Sequence, residues 1–469
     1  MLTENEKDIC RDALRMALEA GAQKARMTLA QSSMDLVATL DGEVDKVTAC
    51  MDRSMEIALF ADGRFGTFST NRLEPSALKA FIARAVDTVR MLAPDPARDL
   101  PSSSRQVKGA LSGLELESYD PQYEEVTAPE RRACALLASA WPCSGKGWKL
   151  ISEEGEYSDS TEYTFVVDSG GLEALHCETC FSYGVEVTIQ DARGRKYSGY
   201  WWDSTPFMRE LDLPDIGRKA LGLAVAQIGS KSARGGKYNM VVDSEVASKV
   251  FSPVLAALNG YNIQQNNSFL AGSLGKQVFP AGLTVLDRPH IKGQNGSRLF
   301  DSEGVATGEH AIIEDGVVKE YFLNTYMAAK LGMAPTREDA IRPMVMPFLS
   351  PSCHPEPLSC HSEHTSCHPE PAEGSAPLDR SAILRLCGSG ILVTDFNGGN
   401  SNSATGDFSY GVEGYLFEDG KIVRPVSGMV VTGNFLTLWA HLLAAGSDAR
   451  KCRQKLIPTL AFSNVDFSG

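Results

Sequence analysis

Four Asp-Gly pairs, Asp41-Gly42, Asp62-Gly63, Asp315-Gly316 and Asp419-Gly420, each interrupt stretches in which apolar and polar residues alternate. A two-residue hairpin of the favoured twist needs positive φ at both central residues, which Asp-Gly supplies at little steric cost. Alternation on both sides of such a pair therefore commits the chain to antiparallel hairpins in several places. Met34, Leu36, Ala38 and Leu40 precede the first pair, and Met55, Ile57 and Leu59 precede the second, with RFGTFST beyond it. The later two lie within EHAIIEDGVVKEYF and EGYLFEDGKIVRPV.

Helical spacing brackets these runs. Thr3 and Glu6 stand three apart, as a capping box requires, ahead of Ile9, Ala13, Ala17 and Ala20 on one face, with Gly21 as the stop. A second helix is predicted from about Pro75 to Leu92, and PDPARDLPSSS (94–104) reads as a linker. The plan then recurs. A helix near 129–140 precedes strand-like runs with Asp168-Ser169-Gly170-Gly171 as one turn, and another helix, about 214–228, closes the unit. The run VEVTIQDARGRKYSGY from Val185 resembles MEIALFADGRFGTFST from Met55 with one residue added at the turn. The expected fold is α+β: two repeated α-β-β-β-β-α units, then a larger mixed, β-rich C-terminal domain. The corresponding boundaries are 1–105, 106–235 and 236–469.

A net charge of −14 over 469 residues, with no run of Lys and Arg, argues against a phosphate-binding surface and so against nucleic acid. The start MLTENEKD lacks the basic and apolar segments of an export signal. The apolar stretch 426–445 carries Ser427, Gly428, Thr432, Asn434, Thr437 and His441 and reads as a strand running into a buried helix, not a bilayer span. A cytoplasmic protein with reduced thiols is the expectation, and an odd cysteine count of 11 agrees with free thiols.

Residues 352–372 repeat a seven-residue unit three times, as SCHPEPL, SCHSEHT and SCHPEPA, inside an insertion of about 351–376. It holds four of the eight histidines. Cys353, Cys360, Cys367 and His361 are of the types that bind zinc or copper. Against that, the prolines forbid helix and sheet, and an even period fits a duplicated low-complexity loop better than a ligand geometry. Elsewhere the chain has no phosphate-binding glycine loop, no G-x-S-x-G elbow and no helix with paired histidines. His176, His290, His310 and His441 are far apart and read as structural. In His176-Cys177-Glu178-Thr179-Cys180 the C-x-x-C leads into an alternating strand, which puts its sulfurs on opposite sheet faces. Two clusters stand out: Phe300-Asp301-Ser302-Glu303-Gly304, and Thr405–Gly411 (TGDFSYG) after NGGNSNSA. Glycines and small polar side chains let a backbone approach a ligand or another chain, though a capped turn explains them as well.

Several of these segments resemble the TldD/PmbA family, once described as modulators of DNA gyrase. The likeness rests on ADGRFGTFST, on FDSEGVATGEHAIIEDGVVKEYFLNTYMAAKLGM, and on GILVTDFNGGNSNSATGDFSYGVEGYLFEDGKIVRPVSGMVVTGNFLTLW. It implies a metallopeptidase-related fold with two kinds of member. The TldD kind carries an H-E-x-x-x-H zinc helix; the PmbA kind, also called TldE, lacks it and pairs with TldD. The corresponding stretch here, about 253–262 (PVLAALNGYN), has neither His nor Glu. The resemblance thus implies a non-catalytic subunit with no cofactor of its own and no catalytic residue, zinc residing in a TldD-type partner. A peptide is the implied substrate. Asp407, Ser409, Asp301 and Glu303 are the expected cleft or subunit-contact residues. Alternatives are a stand-alone homodimeric peptide-binding protein, and a metalloprotein built on the Cys/His repeat. The repeat falls where relatives carry a shorter link between Thr336, Arg337, Arg342, Pro343 and the GILVTDF strand, which bears on partner docking.

Overall fold

The computed structural model describes residues 2–110, 114–137, 144–211, 213–351 and 378–469. The Cys/His repeat, with Cys353, Cys360, Cys367 and His361, lies outside them. Two compact units result: 1–228 with 288–309 and 322–342, and 229–287 with 310–321 and 343–469.

The first unit opens with α1 (Glu4–Glu19), whose capping box is formed in both directions. Then follow β1 (Lys24–Leu40), β2 (Glu43–Ala61), β3 (Arg64–Thr70) and α2 (Pro75–Val89). The second pass runs α3 (Ala128–Leu137), β4 (Ser144–Gly145), β5 (Trp148–Asp168), β6 (Glu173–Asp191), β7 (Lys196–Thr205) and α4 (Leu213–Ala226). The strands form one antiparallel sheet in the order β3-β2-β1-β5-β6-β7. The matched runs at Met55 and Val185 both cross from the last-but-one to the last strand of their pass, so the repeat in sequence is a repeat in topology. The first pass has three long strands where four short ones were expected. Gln31, Ser32 and Ser33 break the apolar pattern of β1 without breaking its pairing, which is continuous with both β2 and β5.

Odd-numbered residues of β1, and of β5 beyond its bulge at 150–152, face the helices. Ala25, Met27 and Leu29 with Phe165 and Val167 pack under α1 and α2, and Val37 with Tyr157 packs under α3 and α4. Met34, Leu36 and Ala38, the alternation read from sequence, lie on the opposite, less buried face. Cys177 is buried in the first of these cores, while Cys180 is on the other face within hydrogen-bond reach of Asn295. All four Asp-Gly pairs have positive φ at both residues, for example 50° and 82° at Asp41 and Gly42.

The second unit begins with β8 (Gly236–Val242), α5 (Ser248–Leu258) and α6 (Gly260–Gln264). A small sheet joins β9 (Val285–Asp287), β10 (His310–Glu314), β11 (Val317–Val318) and β12 (Pro343–Val345); α7 (Thr325–Leu331) belongs to the first unit. The remaining elements are β13 (Phe348–Leu349), α8 (Arg380–Cys387), β14 (Gly390–Ser401), β15 (Asp407–Glu418), β16 (Lys421–Asn434), α9 (Phe435–Ala440), β17 (Leu442–Ala445) and β18 (Leu460–Ser468). Strand β8 pairs with β14 on one side and β18 on the other, and β16 pairs with β18, so β8, β14, β15, β16 and β18 close into a ring. Closure removes the open edges that a sheet of this size would expose. Among the described residues no helix is long and apolar enough to cross a membrane.

Candidate functional site

In the second unit, α5 is oriented by its apolar stripe. Val250, Phe251, Val254, Leu255 and Leu258 are buried, with Phe251 edge-on to Trp439 at 5.6 Å between ring centres. Helical periodicity then turns Ser248, Lys249, Ser252 and Ala256 the other way, into a cavity of about 580 Å³. Asp395 and Phe396 of β14, Tyr410 of β15, and Phe269 and Phe435 line the rest.

The aromatic rings form a continuous ladder. Phe269 stacks on Phe435 at 5.8 Å, Phe435 on Phe408 at 4.8 Å, and Phe408 on Tyr410 at 5.5 Å, with Phe396 edge-on to Tyr410. Lys249 holds its ammonium 5.0 Å from the centre of the Tyr410 ring, a favourable cation–π placement. Lys455 donates to the Ser252 hydroxyl at 2.9 Å. Glu245, at the entrance to α5, accepts from Arg450 and Arg453 at 2.8 Å each, so its charge is already matched. Such a cavity presents flat apolar surface beside the Lys249 ammonium, with the Asp395 carboxylate elsewhere on its wall. It suits an apolar or aromatic side chain next to a carboxylate.

The predicted residues fall in both units. Asp407 stands at the start of β15, where its carboxylate accepts from Asn434 Nδ2 at 2.9 Å and from the Thr405 hydroxyl at 2.7 Å. Those two donors hold its carboxyl below the usual range. Asn434 also caps α9 through Leu436 N–H, so Asp407 ties the 402–407 loop to that helix. Ser409 is exposed on the same strand, beside Asn400, Ser401 and Ser403 in a shallow recess next to the cavity. Asp301 and Glu303 belong to the first unit. One oxygen of Asp301 accepts from the N–H groups of Glu303 and Val305 at 3.0 and 2.9 Å. Burial pushes its carboxyl up to about 6 despite those donors, with help from Glu338 and Glu303. Glu303 accepts from the N–H and hydroxyl of Thr325, the first residue of α7, at 2.9 Å each. These two acids brace turns.

The cavity residues Lys249, Ser252, Phe269, Phe435 and Lys455 carried no readable signal, because only the orientation of α5 brings them together. Tyr410 and Phe396 lay inside the conspicuous TGDFSYG and GILVTDF stretches.

A zinc ion needs three or four ligands of imidazole, thiolate or carboxylate type. The cavity face of α5 offers two hydroxyls, an ammonium, a methyl and the Pro253 ring. Among the described residues no three His, Cys, Asp or Glu side chains are grouped to hold a metal. The four described histidines lie apart. His176 sits 3.1 Å from Glu178, His290 2.9 Å from Thr307, and His441 donates to the Thr437 carbonyl, while His310 is in β10. The described residues do not fit a resident zinc.

Fold and cavity together define an α+β protein with a repeated N-terminal sheet and a C-terminal strand ring beside an aromatic-walled cavity, and comparison with known proteins makes this specific. Residues 235–469 match the PmbA/TldA metallopeptidase C-terminal domain and residues 119–228 its central domain, so the chain belongs to the PmbA/TldD family. It is 26% identical over 468 residues to Metalloprotease PmbA of Escherichia coli O157:H7, covering 97% of this chain and 96% of that one. A crystal structure from Bacteroides thetaiotaomicron, described as a candidate modulator of DNA gyrase, superposes with a TM-score of 0.89 at 35% identity over the whole of both chains. TldE from Thermococcus kodakarensis has the same fold, with a TM-score of 0.77 at 16% identity, covering 98% of this chain and 100% of that one.

Proposed function

We propose that this protein is the non-catalytic, PmbA/TldE-type subunit of a two-component TldD-type zinc peptidase, acting in peptide maturation or degradation. The observation that carries the reading is the cavity face of α5. Where a zinc peptidase of this family needs two imidazoles and a carboxylate on one helix face, this helix presents Ser248, Lys249, Ser252 and Ala256. The same face, with its aromatic wall and the Lys249 ammonium, supports a role in holding the peptide while a TldD-type chain supplies the metal. The similarity to a relative named metalloprotease concerns the family and not this helix face.

Metal content after gentle dialysis of the tag-free protein tests this. Zinc far below stoichiometric is expected; about one tightly held zinc per chain overturns the reading, since a structural or catalytic site binds one ion firmly.

A further inference from the structure

In the first unit, β2 outruns its outer neighbour. It pairs with β1 in one register from Lys24–Phe60 to Ala38–Lys46, but β3 covers only Met55–Ala61. Residues 43–54 thus present an edge with no strand paired to it among the described residues. Natural sheets blunt such edges with proline, bulges or inward charges, since an open edge is a template for another strand. This one has a bulge at Asp45, but beyond it the strand runs regularly from Lys46 with no proline, and its apolar side chains are in water: Val47 is 68% and Met51 75% exposed.

The segment Lys46-Val47-Thr48-Ala49-Cys50-Met51-Asp52 is complementary to itself in the antiparallel sense. With Ala49 opposite Ala49 of a second copy, Val47 meets Met51 on one sheet face. On the other face Lys46 meets Asp52 and Thr48 meets Cys50. A two-fold axis forms every unlike pair twice. No neighbouring register does this. A centre between Ala49 and Cys50 sets Lys46 against Arg53, and centring on Cys50 puts Arg53 opposite Val47.

We propose that two copies of this chain pair antiparallel through Lys46–Asp52, centred on Ala49, and so join their sheets into one. Cross-strand pairs of opposite charge and of apolar side chains stabilise a ladder, and like charges directly opposite oppose it. The pairing uses one strand edge of the first unit and is independent of the function read from the cavity.

Sedimentation velocity on the full chain across a micromolar dilution series tests it. The wild type sediments as a dimer. Lys46→Glu and Asp52→Lys, both at exposed positions, each set like charges together at two symmetric places and weaken the dimer about tenfold or more. The combined variant K46E/D52K restores it. Ala49→Cys gives a disulfide-linked dimer on mild oxidation, whereas the native Cys50, facing Thr48, gives none. A monomer at every concentration overturns the proposal. So does a dimer indifferent to the single reversals, or one that the double reversal fails to rescue.

Discussion

Asp159 is 1% exposed, and its two oxygens receive Nε and Nη2 of Arg131 at 2.7 and 3.0 Å, with the Tyr157 hydroxyl at 3.0 Å. This is how α3 is fastened to the sheet. Removing one partner of a buried pair leaves an uncompensated charge, so Arg131→Met costs roughly 3 to 5 kcal/mol, read from the denaturant midpoint. Asp301 behaves in the opposite sense to a stabilising acid. Its carboxyl sits at about 6 in the fold against an ordinary 3.8, so the native state holds its proton longer than the unfolded chain does. Stability from this group therefore falls as pH rises from about 4 to about 6. Asp301→Asn keeps an oxygen for the two N–H groups and removes the titration. Relative to wild type it gains roughly 1 to 2 kcal/mol between about pH 5 and about pH 7.5, measurable by parallel denaturations. At the cavity, Lys249→Glu replaces attraction for a carboxylate by repulsion. Binding of a labelled peptide ending in an aromatic residue should weaken about tenfold, with circular dichroism unchanged.

Elements differ in how far the sequence announced them. The Thr3–Glu6 box and the four Asp-Gly turns were legible because each is a local device whose geometry its own residues satisfy. The length of β1 was not. Its polar middle is sustained by hydrogen bonding to β2 and β5 on either side, and β5 lies more than a hundred residues away. The glycine-rich turn of β14 was noticed, and the structure gives the reason for one of its glycines. Gly399 has φ of 97°, and a Cβ there would sit 2.1 Å from the Ser409 carbonyl oxygen. Gly399→Ala therefore strains the backbone and pushes β14 off β15, at a cost of roughly 2 kcal/mol or more, visible as a lowered melting temperature. The cavity was invisible for a plainer reason. Lys455 reaches Ser252 across 203 residues of sequence, and neither residue type signals a site by itself.

At the scale of the whole molecule, the two halves divide the work differently. The first unit builds a broad repeated sheet with all four of its long helices on one face, and the second closes a strand ring beside which α5 meets the aromatic ladder. Family membership was legible from the long ordered blocks at 300–333 and 390–439. The absence of a zinc-helix motif was legible as well, from 253–262; which side chains the helix turns toward the cavity instead was not. The proposed partner role rests on a family fold whose α5 face here holds Ser248, Lys249, Ser252 and Ala256. The most direct measurement is hydrolysis of an unstructured peptide by this chain alone, by a TldD-type chain alone, and by the two together, with and without chelator. The account predicts no turnover by this chain alone and chelator-sensitive turnover that rises when it joins the TldD-type chain. Chelator-sensitive hydrolysis by this chain alone would contradict it.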